Sequence, residues 1–337
     1  MENLETIAEK IVADNKGILA ADESTNTIKK RFDSINVEST EISRCDYRET
    51  LFSTKGISKF ISGVILFEET FFQKNKENES LIEKLINIDC YPGIKIDQGL
   101  ENMNSNSIET YTKGIETLDT RLKPFAQNGA KFTKWRAVIN IDKNIPTKEG
   151  IEKNASLLAE YALVSQNNNL VPIVEPEILM DGYHSLEDCY EITKKTLNVV
   201  FNSLKSKKIN LKGMLLKPNM IVPGNKSKEK LNIKFSAEKT LECLQECVPK
   251  DVPGIVFLSG GLKSIDATMI LNEINKLNDS FWKLSFSYGR ALQEDALKAW
   301  AGKNENKNIA QKVFLHRAKM NWLASKGEWD NNLEKNL

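Results

Sequence analysis

Residues 170–178 read LVPIVEPEI and residues 211–220 read LKGMLLKPNM. Near-continuous apolar runs of this length mark strands covered on both faces, as in a parallel sheet. Both runs also carry charge where apolar side chains are expected: Glu175 and Glu177 in the first, Lys217 in the second. Outward from this pair, six more such runs occur: 17-GILAAD-22, 61-ISGVILF-67, 91-YPGIKID-97, 132-FTKWRAVINI-141, 254-GIVFLSG-260 and 282-WKLSFSY-288. The starts are spaced 28 to 44 residues apart, and helical periodicity fills the intervals, clearest over 147–168, 186–208 and 264–276. An Ala- and Leu-rich stretch follows over 290–326. Strand then helix, eight times, is the pattern of an α/β protein of the (β/α)8 TIM-barrel class. That fold needs about 250 residues. The surplus here suits an extra N-terminal helix over 2–15, insertions and a C-terminal helical extension. The chain reads as a single domain over 1–337, with the barrel at about 17–300 and the helical tail at about 301–337. An open doubly wound sheet is the alternative, but no GxGxxG follows the first run.

Composition narrows the function. Hydrophobic residues make up 40% and charged residues 28%, with 47 basic and 46 acidic side chains. This is globular usage, and no overall field draws the chain to nucleic acid or an anionic membrane. No apolar run approaches the ~18 residues of a membrane span, and the start MENLETIAEK has no signal core. A cytoplasmic protein is expected, with no nucleic-acid or membrane partner. Five cysteines in no paired framework suggest reduced thiols, with Cys243 and Cys247 on one helix face. Only His184 and His316 exist, too few for a histidine-rich metal site. Both read as surface or structural, and neither metal nor cofactor is expected.

Barrel enzymes keep their chemistry at the C-terminal ends of the strands, and those ends are charged here. Asp22 closes the first run, Lys95 and Asp97 the third. Lys134 and Arg136 share one face of the fourth, Glu175 and Glu177 one face of the fifth. Buried charges persist only when paired or in use. Lys217 sits at an apolar strand end. Desolvation and the cations Lys134 and Arg136 would lower its pKa and make it a nucleophile toward carbonyls. Glu175 and Glu177 would move protons. Lysine, carboxylates and no metal describe Schiff-base chemistry. Ser259-Gly260-Gly261, Gly289 and Arg290 end the last two runs, where barrels often hold phosphate. Lys30 and Arg31, with Ser24 and Thr27, offer a second anion site for a substrate with phosphate at both ends. Other readings stay open. A mutually neutralised lysine–glutamate network is the structural alternative for the charge set. Asp97 or Glu177 alone suits a supporting role, SGG occurs in many turns, and Lys30 and Arg31 suit a solvated helix face.

At these residues the sequence resembles the class I fructose-1,6-bisphosphate aldolases, the lysine-dependent, metal-independent type. The resemblance spans nearly the whole chain. It rests on 17-GILAADEST-25, 62-SGVILFEET-70, 93-GIKID-97, 134-KWR-136, 171-VPIVEPEIL-179, 215-LLKPNM-220, 258-LSGG-261 and 285-SFSYGRALQ-293. It implies that Lys217 forms the Schiff base and that Glu175 handles the protons of carbinolamine dehydration. Asp22 would orient the C4 hydroxyl, and Lys134 would polarise the intermediate with Glu177 behind it. It further implies that Ser259, Gly260, Gly289 and Arg290 hold the C1 phosphate. Ser24, Thr27, Lys30, Arg31, Lys95 and Arg136 would serve the other phosphate and the hydroxyls. The implied partners are sugar phosphates, in glycolysis and gluconeogenesis, and the implied assembly is a homotetramer. Four departures stand out. Gln98 replaces a lysine, Asn26 a glycine whose left-handed turn asparagine tolerates, and Leu262 a glutamine. The sequence also ends NNLEKNL where many members carry a tyrosine, so the resemblance implies that proton exchange at C3 either falls to another group or is slow. The competing hypotheses are another Schiff-base sugar-phosphate lyase and a barrel scaffold with weak turnover.

Overall fold

The structure, a computed structural model, describes residues 2–105 and 107–335. Eight strands close a parallel barrel. They are β1 (Gly17–Ala21), β2 (Ile61–Leu66), β3 (Tyr91–Lys95), β4 (Phe132–Ile139), β5 (Val171–Ile178), β6 (Leu215–Leu216), β7 (Gly254–Phe257) and β8 (Lys283–Tyr288). β8 returns to β1 through Ile18 opposite Ser287 and Leu19 opposite Tyr288, which rules out the open sheet. The protein is therefore a (β/α)8 TIM barrel.

The alternation along each strand divides the apolar residues between two cores. Ile18, Ala20, Ile65, Phe132, Val171, Ile173, Leu215 and Val256 point inward and form one cluster. The other strand faces pack against the surrounding helices. The inner cluster continues into Ile7, Ala8, Ile11 and Val12. Ile7, Ala8 and Ile11 recur at helical spacing along the helix Leu4–Ile11, with Val12 at its C-cap; its start is capped by Asn3 accepting from the Thr6 N–H at 2.8 Å. This helix stoppers the N-terminal mouth. A Cβ on Gly254 would lie 2.6 Å from Val12 Cγ1, so β7 needs glycine where the stopper enters.

The expected helices appear as Lys148–Asn167, Leu186–Ser206 and Ser264–Leu277. Four details differ from the sequence reading. The N-terminal helix ends at Ile11, and Asp14, at φ 54°, breaks the short 3-10 turn that follows. Run 211–220 supplies only Leu215–Leu216 as strand, because Leu211–Gly213 forms a 3-10 turn and Pro218 has no N–H for a ladder. Lys217 is still tied in, its N–H donating to Val174 O at 2.8 Å. The stretch 290–326 breaks at Ala301 and Gly302, both left-handed, into helices Arg290–Trp300 and Lys307–Ala324. A short antiparallel hairpin, Leu100–Asn102 with Thr110–Thr112, was not anticipated. Residues 336–337, the end of the expected C-terminal extension and of the NNLEKNL segment, lie outside the described residues. No described helix is long and apolar enough to cross a membrane.

Deep in the barrel the Phe132 ring occupies the space a side chain on Gly93 would need. Overpacking a close-packed core costs roughly 1–3 kcal/mol. Gly93→Ala is therefore expected to lower the urea midpoint by a corresponding amount, while the same change at the open Gly56, which has no atom within 4 Å but a φ of +83°, registers only backbone strain.

Candidate active site

The inward parity that fills the barrel with apolar side chains places charge at its C-terminal mouth. Two residues beyond Ala20 comes Asp22. Lys134 and Arg136 follow Phe132, Glu175 and Glu177 follow Ile173, and Lys217 follows Leu215. All fifteen residues singled out in the sequence line one cavity of about 970 Å³: Asp22, Ser24, Thr27, Lys30, Arg31, Lys95, Lys134, Arg136, Glu175, Glu177, Lys217, Ser259, Gly260, Gly289 and Arg290.

Its floor is a row of alternating charge. Lys217 Nζ lies 3.1 Å from Glu175 Oε1, and Lys134 Nζ lies 3.5 Å from Glu175 Oε2. Lys134 also reaches Asp22 Oδ2 at 2.7 Å and Asp97 Oδ2 at 3.8 Å. Lys134, Glu175 and Lys217 are each at most 4% exposed. Burial alone would raise the Asp22 carboxyl, but Lys134, Lys217 and Lys95 outweigh it and hold it well below the usual carboxylate range. Burial alone would lower Lys134, but Asp22, Glu175 and Asp97 hold it above the usual lysine range. Lys134 is thus a fixed cation and Asp22 a fixed anion. Glu175 Oε2 and Asp97 Oδ2 are buried without a hydrogen-bond partner, leaving acceptors turned toward the site.

Further cations ring this floor. Arg136, partly buried, pairs with Glu177; desolvation alone would lower its pKa, but that carboxylate holds it above the usual arginine range. Lys95 donates to Asp97 Oδ1 at 2.5 Å. On the β7–β8 side, Gly260 and Gly261 are left-handed, which glycine alone adopts without strain. Arg290 donates to Gly261 O at 2.7 Å. Arg31 belongs with this side too: a Cβ on Gly289 would lie 3.5 Å from its Nη2. Ser24 and Thr27 hydroxyls lie 3.1 Å apart at the start of the helix Thr25–Asp33. Asn26 falls inside that helix rather than in a left-handed turn. Gln98 lines the cavity and Leu262 is buried.

Among the lining residues that sequence reasoning passed over, Ser287 and Glu23 bear on the site. Ser287, buried without a hydrogen-bond partner, shares the inward face of β8 with Ser285, and strand parity alone would have found it. Glu23 pairs with Arg31 inside the chain, and no pattern in the sequence signals that turn of its side chain. The two histidines lie elsewhere. His184 is buried in the loop after β5, and His316 sits 3.7 Å from Glu334. All five cysteines are free and buried, with Cys243 and Cys247 both on the helix Ile233–Cys247.

A parallel barrel with buried lysines alternating with carboxylates at its C-terminal mouth, beside a glycine- and arginine-lined rim, defines a barrel enzyme for anionic carbonyl substrates. Comparison with known proteins makes this specific. The family described as fructose-bisphosphate aldolase class-I matches residues 3–337. Fructose-bisphosphate aldolase of Plasmodium falciparum is 48% identical over 330 residues, covering 97% of this chain and 89% of that one. Fructose-bisphosphate aldolase 4, cytosolic, of Arabidopsis thaliana is 48% identical over 320 residues, covering 95% and 81%. Among solved structures, a ternary co-crystal of the Plasmodium falciparum aldolase with TRAP and a small-molecule inhibitor superposes with a TM-score of 0.96 at 48% identity, covering 97% and 95%. The chain belongs to the class-I fructose-bisphosphate aldolase family, and so to the aldehyde-lyases, which break carbon–carbon bonds.

A carboxyl held below its unfolded value contributes stability that is present above about pH 4 and lost as pH falls through the folded value. The urea midpoint of the wild type is expected to drop as pH falls below about 4. Asp22→Asn should show a shallower drop over the same range; an equally steep one would mean that Asp22 is not held by Lys134.

Proposed function

We propose that the chain cleaves fructose 1,6-bisphosphate reversibly to dihydroxyacetone phosphate and glyceraldehyde 3-phosphate, with Lys217 as the Schiff-base lysine. The observation that carries this reading is the shared carboxylate: Glu175 lies within 3.5 Å of both Lys217 and Lys134, in a cavity rimmed by Arg290 and Arg31.

Glu175 takes the proton that Lys217 must lose before it attacks the C2 ketone. The resulting carbinolamine loses water as Glu175 returns a proton to the departing hydroxyl. The protonated imine is an electron sink. Asp22, held ionised, accepts a hydrogen bond from the C4 hydroxyl and orients it; Glu175, a carboxylate again once water has left, takes that hydroxyl's proton as the C3–C4 bond breaks, and the bond's electron pair flows into the imine to give an enamine. Glyceraldehyde 3-phosphate leaves. The enamine takes at C3 the proton that Glu175 now carries, and hydrolysis of the imine frees dihydroxyacetone phosphate and Lys217. Lys134, held charged, keeps Asp22 ionised and stabilises negative charge that builds on the substrate oxygens. Glu177 holds Arg136 in place.

The backbone N–H groups at Gly260 and Gly289, with Ser259, Ser287 and Arg290, form the C1-phosphate site. Arg31, beside Gly289, supports that end as well as the turn that carries Asp22. Ser24, Thr27, Lys30, Lys95 and Arg136 take the hydroxyls and the second phosphate. We further propose a single working unit over 1–337, assembled as a homotetramer in the cytoplasm; a relative named cytosolic supports the location.

The test is steady-state cleavage of fructose 1,6-bisphosphate in the presence of EDTA. Wild type is expected to turn over undiminished. Lys217→Met should abolish activity, and Glu175→Gln should lower kcat by roughly 10²–10⁴-fold. EDTA-sensitive turnover, or a Lys217→Met protein that retains activity, would refute the reading.

A further inference from the structure

Behind β1, on the outer side of the barrel, the helix Glu41–Phe52 carries an arginine at the heart of an ion network. Arg48 is 1% exposed. Its Nη2 donates to the Glu23 carbonyl at 2.9 Å and lies 3.7 Å from Glu23 Oε2. Its Nη1 lies 3.4 Å from Glu69 Oε1, which also accepts from Arg44 Nε at 2.9 Å. Glu23 in turn pairs with Arg31 and accepts from Gln293 Nε2 at 2.9 Å. Five charges, Arg31, Glu23, Arg48, Glu69 and Arg44, therefore alternate from the cavity wall to the helix Glu41–Phe52.

Stability alone is a poor reason for this network. Well-packed apolar side chains of similar volume are often as stable as a buried ion cluster. What the guanidinium does that an apolar residue cannot is bind two things at once in fixed geometry. Its Nη2 grips the backbone of Glu23, the residue next to Asp22, and its charge faces the Glu23 carboxylate that holds Arg31. Both ends of the Asp22–Arg31 segment are set from one point outside the cavity.

We propose that Arg48 is a positioning residue for the aldolase reaction, fixing the Asp22 carboxylate toward the C4 hydroxyl and the Arg31 guanidinium toward phosphate. This rests on the roles given to Asp22 and Arg31 above. Arg48 touches no substrate and acts through Glu23. A lysine at this position keeps the charge, but a single ammonium cannot span the Glu23 carbonyl, its carboxylate and Glu69 together. A misplacement of about 1 Å at a reacting group costs up to about 10²-fold in rate.

The test compares wild type, Arg48→Lys and Arg48→Met. Active sites are counted by borohydride trapping of dihydroxyacetone phosphate, which requires Lys217 and Glu175 but not the C4-hydroxyl step. Cleavage of fructose 1,6-bisphosphate is then measured per trapped site. Arg48→Lys is expected to trap normally while kcat per site falls about 10–100-fold and KM rises severalfold, with Arg48→Met more severe. A merely structural role would reduce the number of trapping sites and leave kcat and KM per site unchanged, and that result overturns the proposal. Where Arg48→Met does not fold, Arg48→Lys decides. Wild type that traps nothing would instead overturn the Schiff-base reading beneath it.

Discussion

One carboxylate shared by two buried lysines organises this molecule. Lys217 and Lys134 come from different strands and are removed from water, where two cations would repel and lose hydration. Glu175 lies between them, at 3.1 and 3.5 Å. Asp22 then closes on Lys134 at 2.7 Å from across the barrel. That last contact exists only because β1 pairs with β8 and brings the two ends of the sheet together. Barrel closure and the charge pattern are thus one constraint: an open sheet would leave Lys134 without its nearest anion.

The same alternation of side chains divides labour along the barrel axis. Toward the N-terminal mouth, Phe132, Val171 and Leu215 fill the interior and the helix Leu4–Ile11 seals it. Toward the other mouth the same faces carry Lys134, Glu175 and Lys217. Packing supplies rigidity below, so the charges above need not move to meet a substrate. Pre-set charge of this kind, on side chains that are themselves buried, is worth more to catalysis than the same groups in solution.

Much of this was legible because strand parity is a strict rule. Once Ile173 is taken as inward, Glu175 and Glu177 must follow, and the pairing of Arg136 with Glu177 is a matter of neighbouring strands. The family strings placed the same residues independently. Other features depend on contacts between segments far apart in sequence and leave no periodic trace. The hairpin at 100–112 interrupts a stretch with no clear pattern. The turn at Ala301–Gly302 hides in an Ala-rich helical run. The sequence pointed to Arg31 as part of a cationic group but not to its place beside Gly289, because Glu23 and Arg48 set that from behind the sheet. Short-range rules find what a strand or helix does by itself; they miss what a side chain does on reaching another element.

In the proposed reaction Lys217, rather than Lys134 beside it, becomes covalently bound. Borohydride reduction with dihydroxyacetone phosphate in EDTA, followed by peptide mass spectrometry, tests it most directly. A single triose-phosphate adduct is expected, on the peptide containing Lys217. An adduct on Lys134, or a folded barrel that forms none, would contradict it.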